Sequence, residues 1–284
     1  MKTTIPTVLV GFLLYLVTVP APAADSGIDG HWFYMVKTKS TDPAREAEFN
    51  AWYDDIDIPD VLAVPGFMRA RRAVHKSFME LPELDLSEDE GKYIALYGIE
   101  TADIDKTIID LYVGARKMVA RGRITELLKV TEANYYRKLT GYPPATVTWR
   151  EVNIRKRLLA TSPPADGRRY VYIQKIICCA DGNDYKRLLE WLKDSYIPGV
   201  MEYRAITGVH AYELYRIMEV VALEPGEIPH LLLVHELTTD VIQRTVLELS
   251  SLAYELVQAG NMEELFVEGN DSAVYRLMSD VKPD

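Results

Sequence analysis

The sequence predicts an α+β protein built from two tandem βαββαβ units. One observation is an internal repeat, in which a shift of 139 residues maps Trp52 onto Trp191 and Tyr136 onto Tyr275. The other is that runs with strand character and runs with helix character follow one another in the same order in both halves. Because this period is far longer than that of a solenoid repeat, each half is expected to be a domain-sized unit.

In the first half, aromatic and β-branched runs predict strands, and acidic caps predict helix starts. Asp42, followed by Pro43, begins a helix that is expected to stop before Pro59, because a residue that precedes proline disfavours the helical region. Asp103 caps a second helix that extends to about Ala120. The predicted strands are His31–Thr38, Phe67–Val74, Tyr93–Ile99 and Tyr135–Leu139.

The second half follows the same order. One helix is expected to stop before Pro198 and another to run from Asp240 to Ala259. The predicted strands are Tyr170–Cys178, Val209–Ile217, Leu231–Leu237 and Ala273–Met278. This order is the ferredoxin-like arrangement, with helices on one face of an antiparallel sheet. The bare faces must be buried, so the two sheets either face each other within one chain or pair with a second chain as a homodimer.

The N-terminus has the pattern of a secretory signal peptide. Lys2 precedes an apolar run from Ile5 to Val19, and Ala21-Pro22-Ala23 resembles a cleavage site. The run is shorter than the roughly 20 residues of a spanning helix, although an uncleaved anchor is the alternative. We therefore expect residues 1–23 to be removed and the protein to be periplasmic or extracellular. The predicted units are 30–142 and 169–284, joined by a linker at 143–168.

The composition narrows the partners. Asp and Glu number 42 against 32 Lys and Arg, for a net charge of −10, which argues against a nucleic-acid-binding face. Histidine and cysteine spacing gives no support for a metal site, and no dinucleotide or phosphate-loop motif is present. We expect a small-molecule ligand, no cofactor, and no membrane association after signal cleavage.

The two cysteines, Cys178 and Cys179, are adjacent in the chain. Adjacent cysteines have poor geometry for an ordinary disulfide. They are therefore predicted to be small buried apolar residues, with a reactive or intermolecular thiol as the alternative.

The stretch Phe49–Arg72, FNAWYDDIDIPDVLAVPGFMRARR, resembles the signature of the dimeric α/β-barrel superfamily, and especially its EthD-like branch. In that signature a helix with W-Y leads to an acidic residue, an E-H-L/I-P turn and a P-G-F start of a strand. The second half keeps only the W…IP…G skeleton. The resemblance implies two facing sheets and a cofactor-independent cyclase, isomerase, monooxygenase or lyase; some members bind haem, and many have no known activity.

The resemblance also identifies one candidate residue. The family's turn histidine would fall at Asp57 here and at Tyr196 in the repeat. An imidazole mechanism at this point is therefore in doubt. Asp57 can serve as a carboxylate base if burial raises its pKa, and otherwise it is a surface turn residue.

Histidines on strands are the other acid–base candidates. His210 and Tyr212 are two residues apart on one strand, so they share a face on which they can move protons or orient a carbonyl substrate. His75 ends the second strand and titrates near neutrality. The alternatives are a structural His–Tyr pair and a surface histidine.

Candidate ligand-binding residues are Arg69 and Arg71, which share a strand face with Arg72 opposite. Their guanidinium groups suit an acidic ligand, or they pair with the acidic loops nearby. The repeated Tyr136 and Tyr275 are candidates for an aromatic cavity.

Two functions follow from these residues. One is a secreted enzyme acting on a small hydrophobic or aromatic carbonyl compound, which requires polar groups that converge in a cavity. The other is a non-catalytic binding or assembly protein of the same fold, which predicts a filled barrel.

Overall fold

A computed structural model describes residues 31–78, 84–87, 90–139, 168–178, 182–203, 205–218, 231–265 and 271–283. The predicted signal peptide and nearly all of the predicted linker lie outside these residues. Within them, no helix is both long enough and apolar enough to cross a membrane.

Eight strands form one closed antiparallel barrel, and helices cover its outside. The strands are β1 His31–Ser40, β2 Phe67–His75, β3 Tyr93–Glu100, β4 Leu128–Lys138, β5 Arg168–Ile176, β6 Ile206–Met218, β7 Leu231–Thr239 and β8 Asp271–Val281. The α-helices are α1 Glu46–Trp52, α2 Ile58–Leu62, α3 Ile104–Ala120, α4 Gly182–Trp191, α5 Ile197–Met201 and α6 Ile242–Gly260. The predicted fold class is therefore confirmed.

The strand order around the barrel is β1-β3-β2-β8-β5-β7-β6-β4. The first half of the chain supplies β4-β1-β3-β2, and the second half supplies β6-β7-β5-β8. The halves join at two seams, β2 with β8 and β4 with β6. A single chain thus closes the barrel, and no second chain is needed to cover the bare face of either sheet.

Alternation along the strands places one set of side chains inside the barrel and the other under the helices. On β1, Phe33 and Met35 point inward, whereas Tyr34 and Val36 contact the helix layer. The barrel is filled by residues from all eight strands: Phe33, Met35, Ala73, Ile94, Leu96, Tyr136, Val171, Ile173, Tyr212, Leu232, Val234, Ala273 and Tyr275. The interior is therefore packed with side chains over much of its length.

The first helix does not stop before Pro59, so that prediction is wrong. α1 continues into a π-helical turn, Tyr53–Asp57, and then into α2, which contains Pro59 in its first turn. The Ile58 N–H bonds to the Tyr53 carbonyl, and this wider register carries the chain into a segment whose first turn needs no N–H from proline. The same correction applies at Pro198.

The two halves differ at the start of the long helix. Asp103 caps α3 as predicted, because its side chain accepts a hydrogen bond from the Lys106 N–H at 2.9 Å. The predicted cap at Asp240 is wrong, since α6 begins at Ile242 after Val241. The Val241 N–H instead donates to the Thr239 hydroxyl at 3.1 Å.

Cys178 is buried, as predicted. It is also disulfide-bonded, so the prediction of a thiol at this position is wrong. Its neighbour Cys179 lies outside the described residues.

Candidate functional site

The π-helical turn of the first half carries a carboxyl group against the outer face of the sheet. Asp57 lies in this turn, and the Tyr97 hydroxyl on β3 donates to its Oδ2 at 3.3 Å. Asp57 keeps part of its surface exposed, yet burial of the carboxyl raises its pKa to about 7. The Tyr97 hydrogen bond and the charge of Arg72 oppose this increase. Asp57 is therefore not an ordinary surface aspartate.

Four tyrosines surround this carboxyl group, and with Asp57 we call them the carboxyl–tyrosine cluster. Tyr34 stacks on Tyr135 with ring centroids 4.3 Å apart and on Tyr97 at 5.8 Å, and Tyr53 comes from the π turn itself. All four are buried, and burial raises the pKa of each hydroxyl well above 10. They remain protonated at neutral pH and can donate hydrogen bonds. Among the described residues, the Tyr135 hydroxyl finds no partner of ordinary hydrogen-bond geometry.

A buried arginine supports the cluster from below. Arg72 is fully buried on the helix side of β2, opposite Arg69 and Arg71 as predicted. Its guanidinium bonds to Asn50 Oδ1 at 2.5 Å and to Asp54 Oδ1 at 3.1 Å. The same group lies 4.4 Å from the centre of the Tyr53 ring. This packing fixes the π turn against the sheet and places a positive charge near the carboxyl.

The second half has a different polar group at the matching position. Tyr196, which the shift of 139 residues pairs with Asp57, ends the second π turn. Its hydroxyl lies 2.8 Å from Gln174 Oε1 and 3.2 Å from His235 Nε2, so it can donate to only one of them at a time. Burial lowers the pKa of His235 to about 4, which keeps the ring neutral at physiological pH. His235 Nδ1 lies 3.3 Å from the Tyr172 carbonyl oxygen and therefore carries the ring proton.

Sequence analysis assigned no role to His235. The strand register pairs Tyr34 with Tyr97 in the first half and Tyr172 with His235 in the second. His235 is thus the counterpart of Tyr97, with a shift one residue shorter than at Asp57. Tracing the repeat strand by strand would have found this position, whereas a search for local histidine motifs does not.

His210 and Tyr212 share the inward face of β6, as predicted, but they do not form a hydrogen-bonded pair. Their ring centroids are 6.3 Å apart. Tyr212 stacks on Phe33 at 4.5 Å within the barrel core. His210 Nε2 instead lies 3.4 Å from Glu236 Oε1. The predicted pair is therefore split between the barrel core and a charged cluster.

Arg69 and Arg71 reach the same end of the barrel. Arg69 forms a two-pronged ion pair with Asp280 on β8, and Arg71 forms an ion pair with Glu236 on β7. Their partners are thus strand residues of the second half. These contacts cross between the halves and bring together strands far apart in sequence.

The three remaining predicted residues lie inside the barrel or at its edge. Tyr136 and Tyr275 are completely buried in the barrel core. His75 Nε2 lies 2.9 Å from the Leu84 carbonyl oxygen and therefore donates to it, and its ring centroid is 5.7 Å from that of Tyr275. Since Asp57 lies on the helix side of the sheet, the eight predicted residues do not form one site.

The described residues hold no group of three or more His, Cys, Asp or Glu side chains arranged to bind a metal ion. His235 is also a poor candidate for a haem ligand. It is fully buried, and both of its ring nitrogens already have protein contacts. The chemistry of the candidate site is therefore sought in the carboxyl–tyrosine cluster.

Comparison with known proteins gives a fold. No family model and no curated protein matches this chain. Among solved structures, it is similar to an anthrone oxidase-like protein (TM-score 0.50, 11% identity, 90% of this chain and 94% of that chain). It is also similar to a candidate monooxygenase from Fusobacterium nucleatum (TM-score 0.51, 7% identity, 90% and 96%). The chain has the dimeric α/β-barrel fold.

In this dimeric α/β barrel, one chain provides both of the facing sheets. The neighbours cover at least nine-tenths of the chain, so the likeness extends over both halves. At identities of 7–11% it establishes the architecture alone. Membership of the EthD-like branch stays a prediction.

Proposed function

We propose that this protein is a cofactor-independent enzyme that removes a proton from a small hydrophobic or aromatic carbonyl compound, with Asp57 as the base. The observation that carries the proposal is the position of the Asp57 carboxyl, 3.3 Å from the Tyr97 hydroxyl within a group of buried tyrosines. A general base is most effective when its pKa is near the working pH, and the pKa of Asp57 is raised to about 7.

The proposed step uses two properties of the cluster. The ionised Asp57 takes the proton from a carbon next to the substrate carbonyl, and the electrons of that C–H bond move onto the carbonyl oxygen to give an enolate. Neutral tyrosine hydroxyls donate hydrogen bonds to that oxygen, and Tyr135 has a hydroxyl available for this role. Return of the proton at another carbon gives an isomerase, and attack of the enolate on a second carbonyl gives a cyclase.

The structural neighbours are consistent with this substrate class. One is anthrone oxidase-like, and anthrone is a small aromatic ketone. The other is a candidate monooxygenase. We carry over only the aromatic carbonyl class, because the geometry of the cluster accounts for proton removal and for no later step.

The test is solvent proton exchange. The protein is incubated in D2O with a panel of aromatic and aliphatic ketones, and loss of the α-proton signal is followed by NMR. At least one compound class should exchange well above the uncatalysed rate, with a rate that rises as the pH passes through about 7. Exchange at the background rate across the panel would contradict the proposal.

Variants tie the activity to the cluster. Asp57→Asn should lower the exchange rate by about 10²–10⁴-fold, and Tyr97→Phe by about 10-fold or more. Asp55→Asn is the matched control, because Asp55 is an exposed carboxyl in the same π turn. Equal rates for the Asp57→Asn and Asp55→Asn variants would exclude Asp57 as the base.

A non-catalytic binding or assembly protein is the second candidate. It is favoured by the packed barrel interior, where side chains from all eight strands fill the space that would hold a ligand. Saturable binding of a panel compound without exchange would support this function instead.

We also propose that residues 1–23 are a signal peptide and that the mature protein is periplasmic or extracellular. The support is the sequence pattern around Lys2 and Ala21-Pro22-Ala23. Intact mass measurement of the exported protein tests it, because cleavage after Ala23 leaves Ala24 as the first residue. A mass that includes the N-terminal segment would contradict it.

A further inference from the structure

Charged residues of both halves meet at one end of the barrel. We call this group the barrel mouth and define it as Arg69, Arg71, Arg169, Glu236 and Asp280. Asp280 accepts from Arg69 and, at 3.0 Å, from Arg169, while Glu236 pairs with Arg71. These contacts cross the seam between β2 and β8 and reach β5 and β7.

The barrel mouth carries an excess of positive charge. Its three guanidinium groups face two carboxylates, and His210 lies beside Glu236. Hydrogen bonding by His210, together with Arg71, lowers the pKa of Glu236 to about 2, so this carboxylate stays ionised. A local positive excess in a chain of net charge −10 indicates that a further anion can be accommodated here.

A small cavity opens beside these charges. Its volume is about 40 Å³, and Arg71, Arg169, Glu236 and Thr207 line it together with apolar side chains that include Leu277. A single water needs roughly 10–15 Å³ by the same measure, so this cavity has room for about three waters or one small polar group. It is too small for a whole aromatic substrate.

Both cavity arginines retain unused donors. Arg71 contacts Glu236 through Nη1, and Arg169 contacts Asp280 through Nη2. Among the described residues, the other N–H groups of these two side chains make no hydrogen bond. A guanidinium presents a planar fork that matches a carboxylate, and two such forks beside one cavity favour a planar anion over a spherical one.

We propose that the barrel mouth binds the carboxylate group of a small organic acid between Arg71 and Arg169. The site is separate from the carboxyl–tyrosine cluster, because it lies at the barrel interior and Asp57 lies under the helices. The proposal does not depend on the catalytic role of Asp57.

The test uses ¹³C-labelled acetate as the probe and the full-length protein. Acetate is titrated at pH 7 and constant ionic strength, and binding is followed by ¹³C NMR line width. Acetamide, which has nearly the same shape but no charge, is the ligand control. Acetate should bind saturably and acetamide at least 10-fold more weakly; equal binding, or no saturable acetate binding, would overturn the proposal.

Two arginine variants separate a built site from general electrostatics. Arg169→Gln should weaken acetate binding by about 10-fold, which corresponds to the loss of one charge-assisted hydrogen bond. Arg169 is half exposed, and Asp280 keeps Arg69 as a partner, so the fold should be retained. Arg69→Gln removes the same charge from the mouth without touching the cavity lining and should change binding less than 3-fold. Equal weakening by both variants would show that acetate responds to net charge alone.

Asp57→Asn distinguishes the two proposals. It should leave acetate affinity within 2-fold of the wild type, whatever its effect on proton exchange. An acetate site that disappears in Asp57→Asn would contradict the separation of the two sites.

Discussion

Replacing Asp57 with Asn should change the pH dependence of stability in a specific direction. The carboxyl has an ordinary pKa of 3.8 in the unfolded chain, and burial raises it to about 7 in the folded protein. Between these values the folded state holds more protons than the unfolded state, so the free energy of unfolding falls as the pH rises from about 4 to about 7. Above pH 7 this loss is complete.

The magnitude follows from the two pKa values. Their difference corresponds to about 4 kcal/mol if the whole effect is expressed. Asp57 keeps part of its surface exposed, so we expect about half of this, or about 2 kcal/mol. Asparagine is neutral, has nearly the same shape, and can still accept from the Tyr97 hydroxyl. Asp57→Asn should therefore be about 2 kcal/mol more stable than the wild type at pH 8 and nearly equal to it at pH 4.

Urea unfolding at pH 4 and pH 8, followed by tryptophan fluorescence, measures this difference. Other titrating groups, including His235, are present in both proteins and cancel in the comparison. Asp55→Asn is the control and should show no change with pH. A difference between Asp57→Asn and the wild type that is the same at both pH values would refute the reasoning and return Asp57 to the class of ordinary surface carboxyls.

Three further predictions concern stability, each measured by urea unfolding. His235 has a folded pKa of about 4 against an ordinary 6.5, so the wild type should lose up to about 3 kcal/mol as the pH falls through this range, and His235→Gln should not; equal losses would contradict the buried neutral ring. Arg72→Met should lower the free energy of unfolding by about 2–4 kcal/mol, against less than about 1 kcal/mol for the more exposed Arg69→Gln, and similar values would contradict a supporting role for Arg72. Leu96→Ala in the barrel core should cost about 2–5 kcal/mol, whereas Met68→Ala, at a residue 50% exposed, should cost less than about 0.5 kcal/mol; a small cost at Leu96 would contradict a packed interior.

The strands and their arrangement could be predicted because their signals are local and repeated. Alternation on β1 separates Phe33 and Met35 from Tyr34 and Val36, and the sequence shows it without any tertiary information. The helix end before Pro59 could not be predicted. A π turn changes the hydrogen-bond register of the backbone, and residue pattern alone carries no record of that register.

The candidate site was predicted in part. Asp57 was identified from the signature, but its raised pKa depends on tyrosines from β1, β3 and β4, which only the folded sheet brings together. His235 gave no local signal, since a single histidine in an apolar strand has no motif around it. His210 and Tyr212 share a face as expected, yet neighbouring strands supply each with a different partner.

Closure of the barrel by one chain has a consequence for stoichiometry. In a barrel made from two identical chains, any substitution appears twice, and both sheets must carry the same polar group. Here the two halves mutate independently, which allows an ionisable carboxyl at Asp57 and a neutral hydroxyl at the matching Tyr196. Each barrel therefore offers one ionisable carboxyl at these paired positions, and titration with a tight inhibitor of proton exchange should end at one equivalent per chain.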